Sequence, residues 1–268
     1  MKEVREEILR LENVKFTYDK KKMAIDDISL SLYSGEKVAI IGENGSGKSS
    51  LFLVSNMINK ISSGNIYLKN KKLSNKRSEI NKLREVVGIV FQNPNDQIIA
   101  SNVYEEISFG PMNLDLSLDE VKNRVEKSME TLGILDYRDR ATQYLSGGEQ
   151  KKVTIASILS MNPEIILFDE PMASLDMKSS RELEESLNNL SDKNIALLVS
   201  THDINFVWRW SQRVILMDKG KIIIDCNTED FFEKEEILSK YSIDMPILYS
   251  VGKKLNMNPL PKTIEEIL

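Results

Sequence analysis

The eight residues Gly42 to Ser49, GENGSGKS, constrain this chain more than any other stretch, because they fit G-x-x-x-x-G-K-[ST] and separate two segments of opposite periodicity. Before them, Lys37 to Ile41 (KVAII) is a short run rich in β-branched residues, the pattern of a parallel strand covered on both faces. After them, SSLFLVSNMI reads as a helix. A strand, a glycine turn and a helix in that order aim converging backbone N–H groups and the positive helix end at one point, which suits a phosphate group. Lys48 adds a charge for the β- and γ-phosphates of a nucleotide, and the Ser49 hydroxyl offers an oxygen to Mg²⁺.

Further apolar runs recur at Val86 to Phe91, Ile165 to Phe168, Ile195 to Val199 and Val214 to Met217, several of them separated by helix-length segments. That alternation predicts an α/β layer sandwich. Ile8 to Tyr18 and Ile28 to Leu32 instead alternate apolar and polar residues, as half-buried antiparallel strands do, with a turn over Lys20 to Lys22. Between about Val103 and Asn162 the rhythm breaks into three helix-like segments with no convincing strand, which predicts a helical subdomain inserted into the sheet protein. Gly220-Lys221 marks a hairpin, and Glu229 to Leu268 reads as helical with a proline break around MNPLPKT. The basic run Lys69 to Arg77 reads as a solvated loop, Trp208 and Trp210 as packing or surface residues, and Met172 and Met177 as packing near a dimer face.

Acidic residues (41) outnumber basic ones (36), so there is no overall positive field to gather nucleic acid. The one cysteine, Cys226, allows no internal disulfide, which fits a reducing compartment. The charged start MKEVREEILRLENVKF lacks the apolar core of a signal peptide, and a cytoplasmic location is expected. No stretch approaches the roughly 18 consecutive apolar residues of a membrane span, so any membrane role leaves the spanning to another chain.

A phosphate chain accompanied by magnesium calls for a second oxygen ligand. ILFDEP supplies one, because an apolar strand ending in acids delivers carboxylates to the carboxyl edge of the sheet. Asp169 is the candidate metal ligand and Glu170 the candidate general base, against the plain alternative of solvated acids at a strand end. The only histidine, His202, follows the run IALLV and falls on the same edge, where an imidazole can meet the γ-phosphate and orient water. YLSGGEQ, at the head of a helical run, is a second anion-binding turn about a hundred residues from the first.

These elements, in this order, resemble the ATP-binding cassette family over nearly the whole chain. Tyr18 matches the aromatic that stacks on adenine, and GENGSGKS the Walker A loop, so that Gly42, Glu43, Asn44, Gly45, Ser46, Gly47, Lys48, Ser49 and Ser50 are the expected nucleotide contacts. Gln92 matches the glutamine that contacts Mg²⁺ and the membrane partner; ILFDEP matches Walker B, Ala173 to Asp176 (ASLD) the D-loop with Asp176, and His202 the switch histidine. SGGEQ matches the family signature, which separates cassettes from other phosphate-loop families.

The resemblance implies a P-loop NTPase (RecA-like) core with an antiparallel β-subdomain, an inserted helical subdomain over about 103–162 and a C-terminal helical tail. It divides the chain into a cassette over 5–240 and a tail over 241–268. It also explains the second anion turn. Two cassettes face each other head to tail, and Ser146, Gly147, Gly148, Glu149 and Gln150 of one serve the ATP on the other's phosphate loop. NPNDQIIASNVYEEISFGPMNL and the C-terminal stretch are similar to ATPases of energy-coupling-factor transporters and the related cobalt and nickel importers. That implies an ATPase at the cytoplasmic face of the membrane, working with a second cassette (identical or paralogous), a transmembrane coupling subunit and a small membrane protein that binds a vitamin or metal ion.

Some positions depart from the family pattern: Ser50 replaces a common threonine, Glu149 a common glutamine, and Met172 a small hydroxyl residue. None removes a phosphate, metal or water ligand. The competing readings are a soluble cassette ATPase of translation or DNA repair, and a regulatory module that binds ATP without turnover. The first usually has two cassettes or a long coiled-coil insertion, and the second tends to lose the base or the histidine.

Overall fold

The structure, a computed structural model, describes residues 5–74, 76–173 and 175–268. Two sheets carry it. The first is antiparallel, in the order β2-β1-β4-β5, from β1 (Glu7–Thr17), β2 (Met23–Tyr33), β4 (Ser63–Leu68) and the two-residue β5 (Lys71–Lys72). Leu9 and Leu11 of β1 face the core, and so do Val14 and Phe16, although their parity differs. The register shift between Leu11 and Val14, with Asn13 at φ 48°, is a bulge that resets the alternation.

The second sheet has six strands in the order β10-β9-β3-β8-β7-β6. Its members are β3 (Lys37–Ile41), β6 (Val87–Val90), β7 (Ile165–Phe168), β8 (Ala196–Ser200), β9 (Arg213–Asp218) and β10 (Lys221–Asn227). Neighbours from β9 to β6 run parallel, and β10 returns antiparallel through the hairpin at Lys219-Gly220. The apolar runs are continuous because alternate residues enter different cores. Ile165, Leu167 and Leu198 pack toward the antiparallel sheet and helix α1 (Lys48–Ser55), whereas Ile166, Phe168, Leu197 and Val199 pack beneath the helices. Each such buried aliphatic side chain contributes roughly 1.5–3 kcal/mol, so both faces hold the strands in register.

Those helices are α3 (Val103–Met112), α4 (Leu118–Thr131), α5 (Gly147–Leu159) and α6 (Met177–Asp192), with α2 (Arg77–Val86) leading into β6. Together with α7 (Ile204–Trp210), four of them start at a polar residue whose side chain accepts from the backbone three positions on: Asn102, Ser117, Ser146, Asp176 and Asp203. These caps satisfy N–H groups the helix cannot.

The structure departs from the sequence expectations in two places. Ser63–Leu68 is a strand where none was expected, and the basic run after it contains β5 and the first residue of α2. The segment expected to be helical from Glu229 onward holds α8 (Thr228–Phe232), α9 (Glu235–Lys240) and α10 (Ile247–Lys254), but residues 255–268 form turns. Those turns are anchored by Trp208, whose indole Nε1 donates to the Pro261 carbonyl at 2.8 Å and whose ring meets Phe232 and Tyr249 edge on. Trp208 and Trp210 are thus buried packing residues.

Candidate nucleotide site

Parallel strands end on the same edge, so β3, β6, β7 and β8 bring Gly42, Gln92, Asp169 and His202 together from distant parts of the chain. The loop after β3 needs its glycines. Gly42, Gly45 and Gly47 have φ of 148°, 81° and 108°. A Cβ on Gly42 would strike the Met217 carbonyl, and one on Gly47 would come within 2.7 Å of the Ala24 carbonyl. The Gly220 N–H donates to the Ser46 carbonyl at 2.8 Å, tying the loop to the β9–β10 hairpin. Ser46 Oγ is buried with no partner among the described residues, and α1 starts without a side-chain cap. An uncapped helix start under a glycine loop leaves donors for an anion.

Lys48 is buried, and its ammonium donates to the carbonyls of Gly42 at 2.5 Å and Glu43 at 3.2 Å. Burial lowers its pKa, while Glu170 and Asp169 pull it back up. The cleft above it has a volume of about 410 Å³, and its walls include Tyr18, Asn44, Gly45, Gly47 to Ser50, Gln92, Asp169 and Glu170. Tyr18 stands at the mouth, 65 % exposed, with Phe16 edge on at 4.7 Å and its hydroxyl 3.2 Å from Ser50 Oγ. Ser49 and Gln92 are exposed and line the cleft, whereas Glu43 is exposed but is not part of its lining. Ser49, Gln92 and Asp169 are all hard oxygen donors, the kind that suits Mg²⁺.

The two acids are held by a residue that the sequence reading passed over. Phe168 pairs with Val199, which sets Ser200 beside Asp169. Ser200 Oγ donates to Asp169 Oδ1 at 2.7 Å and accepts the Glu170 N–H at 2.8 Å. Glu170 has a φ of 44°, rare for a residue with a side chain. Its carboxylate is largely buried, Oε1 lies 3.0 Å from His202 Nε2 without an aligned hydrogen bond, and burial raises its pKa against the pull of His202 and Lys48. His202 itself is half exposed, between β8 and the Asp203 cap of α7.

The signature turn does not border this cleft. Ser146 caps α5, with Oγ accepting the Glu149 N–H at 3.3 Å and the Ser146 N–H donating to Glu149 Oε2 at 2.7 Å. Arg140, bonded to Glu149 at 2.7 Å, holds that carboxyl at a pKa of about 2. This arrangement accounts for glutamate at a position where glutamine is common: the carboxylate closes the cap and is neutralised by Arg140. Gln150 Nε2 donates to the Thr142 carbonyl at 3.4 Å. Ser146 and Gly147 are exposed at the start of α5, where the first N–H groups have no intrahelical partner and the helix end favours an anion. Asp176 caps α6 by accepting from Ser179 N at 2.8 Å; Ser174, within the expected D-loop, lies outside the described residues.

A second residue went unnoticed in the sequence. Lys151 is 2 % exposed, and its ammonium donates to the carbonyls of Phe91 at 2.9 Å and Gln92 at 2.7 Å. Burial pulls its pKa down to about 8, opposed by Asp169. The available signal was its place three and four residues before Thr154 and Ile155 on the buried face of α5.

Comparison with known proteins gives concordant results. Residues 25–173 match the family model described as ABC transporter. The energy-coupling factor transporter ATP-binding protein EcfA2 of Methanospirillum hungatei is 34 % identical over 269 residues, covering 98 % of this chain and 68 % of that protein. Among solved structures, cbiO1 from Clostridium perfringens, part of the ABC transporter complex cbiONQ, superposes with a TM-score of 0.78 at 35 % identity, covering 94 % of this chain and 100 % of that one. The dimeric post-hydrolysis structure of the ATP-binding cassette MJ0796 with ADP and Pi gives a TM-score of 0.72 at 28 % identity, covering 82 % and 99 %.

Proposed function

Since this chain belongs to the ABC transporter family, we infer that it is the ATP-hydrolysing subunit of an energy-coupling-factor importer. ATP is the substrate. The loop after β3 binds its phosphates through backbone N–H groups and Lys48, and Tyr18 stacks on the base. Ser49, Gln92 and Asp169 would hold Mg²⁺, which when bound neutralises charge on the β- and γ-phosphates.

In hydrolysis a water oxygen attacks the γ-phosphorus and the bond to the bridging oxygen of ADP breaks. Glu170 accepts a hydrogen bond from that water and draws off its proton, and His202 orients the carboxylate. The observation that carries this assignment is the Glu170 carboxylate itself. It is largely buried at the sheet edge on a left-handed backbone, with Oε1 3.0 Å from His202 Nε2 but without a hydrogen-bond partner among the described residues, and burial raises its pKa. Ser200 fixes the backbone from which it projects.

The account needs a second cassette, because Ser146, Gly147 and Gly148 lie away from this chain's own cleft. Their hydroxyl and N–H groups complete the pocket of a head-to-tail partner, of the same chain or a paralogue. Triphosphate then binds across the pair and hydrolysis releases it, a differential affinity able to drive a cycle.

No helix among the described residues is long and apolar enough to cross a membrane. The transport path therefore belongs to other subunits, a transmembrane coupling protein and a small membrane protein that binds a vitamin or metal ion, with this chain peripheral at the cytoplasmic face. Ile99, Phe109 and Met112, exposed on α3 and the segment that follows Gln92, offer the coupling subunit an apolar surface. The reading as a translation or DNA-repair ATPase gains no support from relatives that are themselves transporter cassettes.

Glu170→Gln tests the chemistry. The variant is expected to bind ATP as the wild type does, to lose nearly all turnover and to accumulate as an ATP-bound dimer on a sizing column. Turnover at the wild-type rate would remove Glu170 from the role.

A further inference from the structure

We propose that Lys151 is a positioning residue that fastens Gln92 to the signature helix, so that engagement of the Ser146 turn by a partner's nucleotide sets the place of Gln92 in this chain's own cleft. The proposal rests on the ATPase reading above and extends it to the route between the two half-sites.

The geometry has three parts. Lys151 reaches from α5 to the carbonyls of Phe91 and Gln92 at 2.9 and 2.7 Å. Gln97 adds a tie in the same place, its Oε1 accepting the Phe91 N–H at 3.1 Å while its Nε2 donates to the Thr154 carbonyl of α5 at 3.3 Å. The far end of the segment is fixed to α3, where the buried carboxylate of Glu106 accepts the N–H groups of Ile99 and Ala100 at 2.8 and 2.9 Å. Residues 91–100 are thus tied to α3 and α5, whereas the preceding Val90 is bonded into the sheet, its carbonyl accepting the Asp169 N–H at 2.9 Å.

Lys151 sits five residues beyond Ser146 on one helix, a separation of roughly 7.5 Å along its axis. A helix that short moves as a rigid piece. Any shift of the signature turn is carried to the two carbonyls that Lys151 holds, and with them to Gln92. Packing alone does not account for a lysine here. A buried ammonium with carbonyl partners and no bonded carboxylate is costly to desolvate, and an apolar side chain of similar length would fill the same space. What the ammonium adds is two directional bonds to the one segment that carries Gln92.

The test uses Lys151→Met, with Lys151→Arg as the conservative control. ATP affinity, read with a fluorescent nucleotide, is expected to change less than about twofold, since Lys151 is no part of the nucleotide cleft. Turnover number is expected to fall at least about tenfold, and the Mg²⁺ concentration for half-maximal rate to rise. Lys151→Arg should restore most of both. In nucleotide-free protein, amide hydrogen exchange over 91–98 should quicken while that of α5 does not, a readout independent of ATPase chemistry.

Were Lys151→Met to fold poorly, Gln97→Leu cuts the other tie to α5 and should show the same division between binding and turnover. Unchanged turnover and Mg²⁺ dependence in a folded Lys151→Met protein would overturn the proposal, as would lowered thermal stability with unchanged turnover per folded molecule. Failure of the ATPase reading itself would register separately, as wild-type turnover in Glu170→Gln.

Discussion

Replacing Ser146 by alanine separates the cap that its hydroxyl forms from the phosphate contact proposed for it. Within the chain it caps α5, and its contact to the Glu149 N–H, at 3.3 Å, is longer than the common value near 2.9 Å. The loss of folding stability should therefore sit low in the range for cap removal, about 0.5–1 kcal/mol. The reciprocal bond from the Ser146 N–H to Glu149 survives the substitution. Between chains, the same hydroxyl is proposed to give its hydrogen to a phosphate. A hydrogen bond to a charged group is worth about 1.5–3 kcal/mol, and a symmetric pair loses two of them, about 3–6 kcal/mol. That corresponds to a dimer dissociation constant raised by roughly 10² to 10⁴. The measurement is sedimentation equilibrium with ATP in the Glu170→Gln background, alongside urea unfolding of the monomer without nucleotide. Loss of about 1 kcal/mol in unfolding with a dimer constant changed by less than about threefold would leave Ser146 a helix cap only and refute the trans assignment.

Tyr18→Ala should weaken ATP and GTP alike, by the about 1–3 kcal/mol typical of base stacking on an aromatic ring, because the ring does not read base identity. Equal affinity in variant and wild type by fluorescence titration would contradict the stacking role. Glu149→Gln tests the cap through pH. Arg140, with help from the Ser146 N–H, lowers the Glu149 pKa from 4.5 to about 2, so its contribution to stability is present above about pH 4.5 and is lost as pH falls toward 2. The glutamine variant keeps an acceptor for Ser146 but not the charge. Its urea midpoint should be lower at neutral pH and should fall less steeply through that acid window; identical slopes would count against the ion pair.

Much of the fold was legible because it is written in local patterns. KVAII and IILF are continuous apolar runs since both sheet faces are covered. The strand Ser63–Leu68 was not legible. Its first half, Ser-Gly-Asn, has turn composition, and only Ile66 and Leu68 are buried; pairing with β1 extends it. The turns after Lys254 are equally opaque, because they are held by a bond from Trp208, 53 residues away from Pro261.

In the site, the residues proposed to bear the chemistry stand in motifs, while those that place them do not. Ser200 becomes visible only once β7 and β8 are known to be neighbours in register. Lys151 reads as one of two ordinary helix lysines until α5 is packed against the segment after β6. Both are ordinary residue types whose role comes from tertiary placement.

Specific ATPase activity of the isolated chain, followed as protein is diluted at saturating ATP, tests most directly whether one molecule completes the site of another. The account predicts activity per chain that falls toward zero on dilution and rises to a plateau with concentration. Activity per chain that stays constant down to concentrations where sedimentation shows only monomers, with nucleotide present, would contradict it.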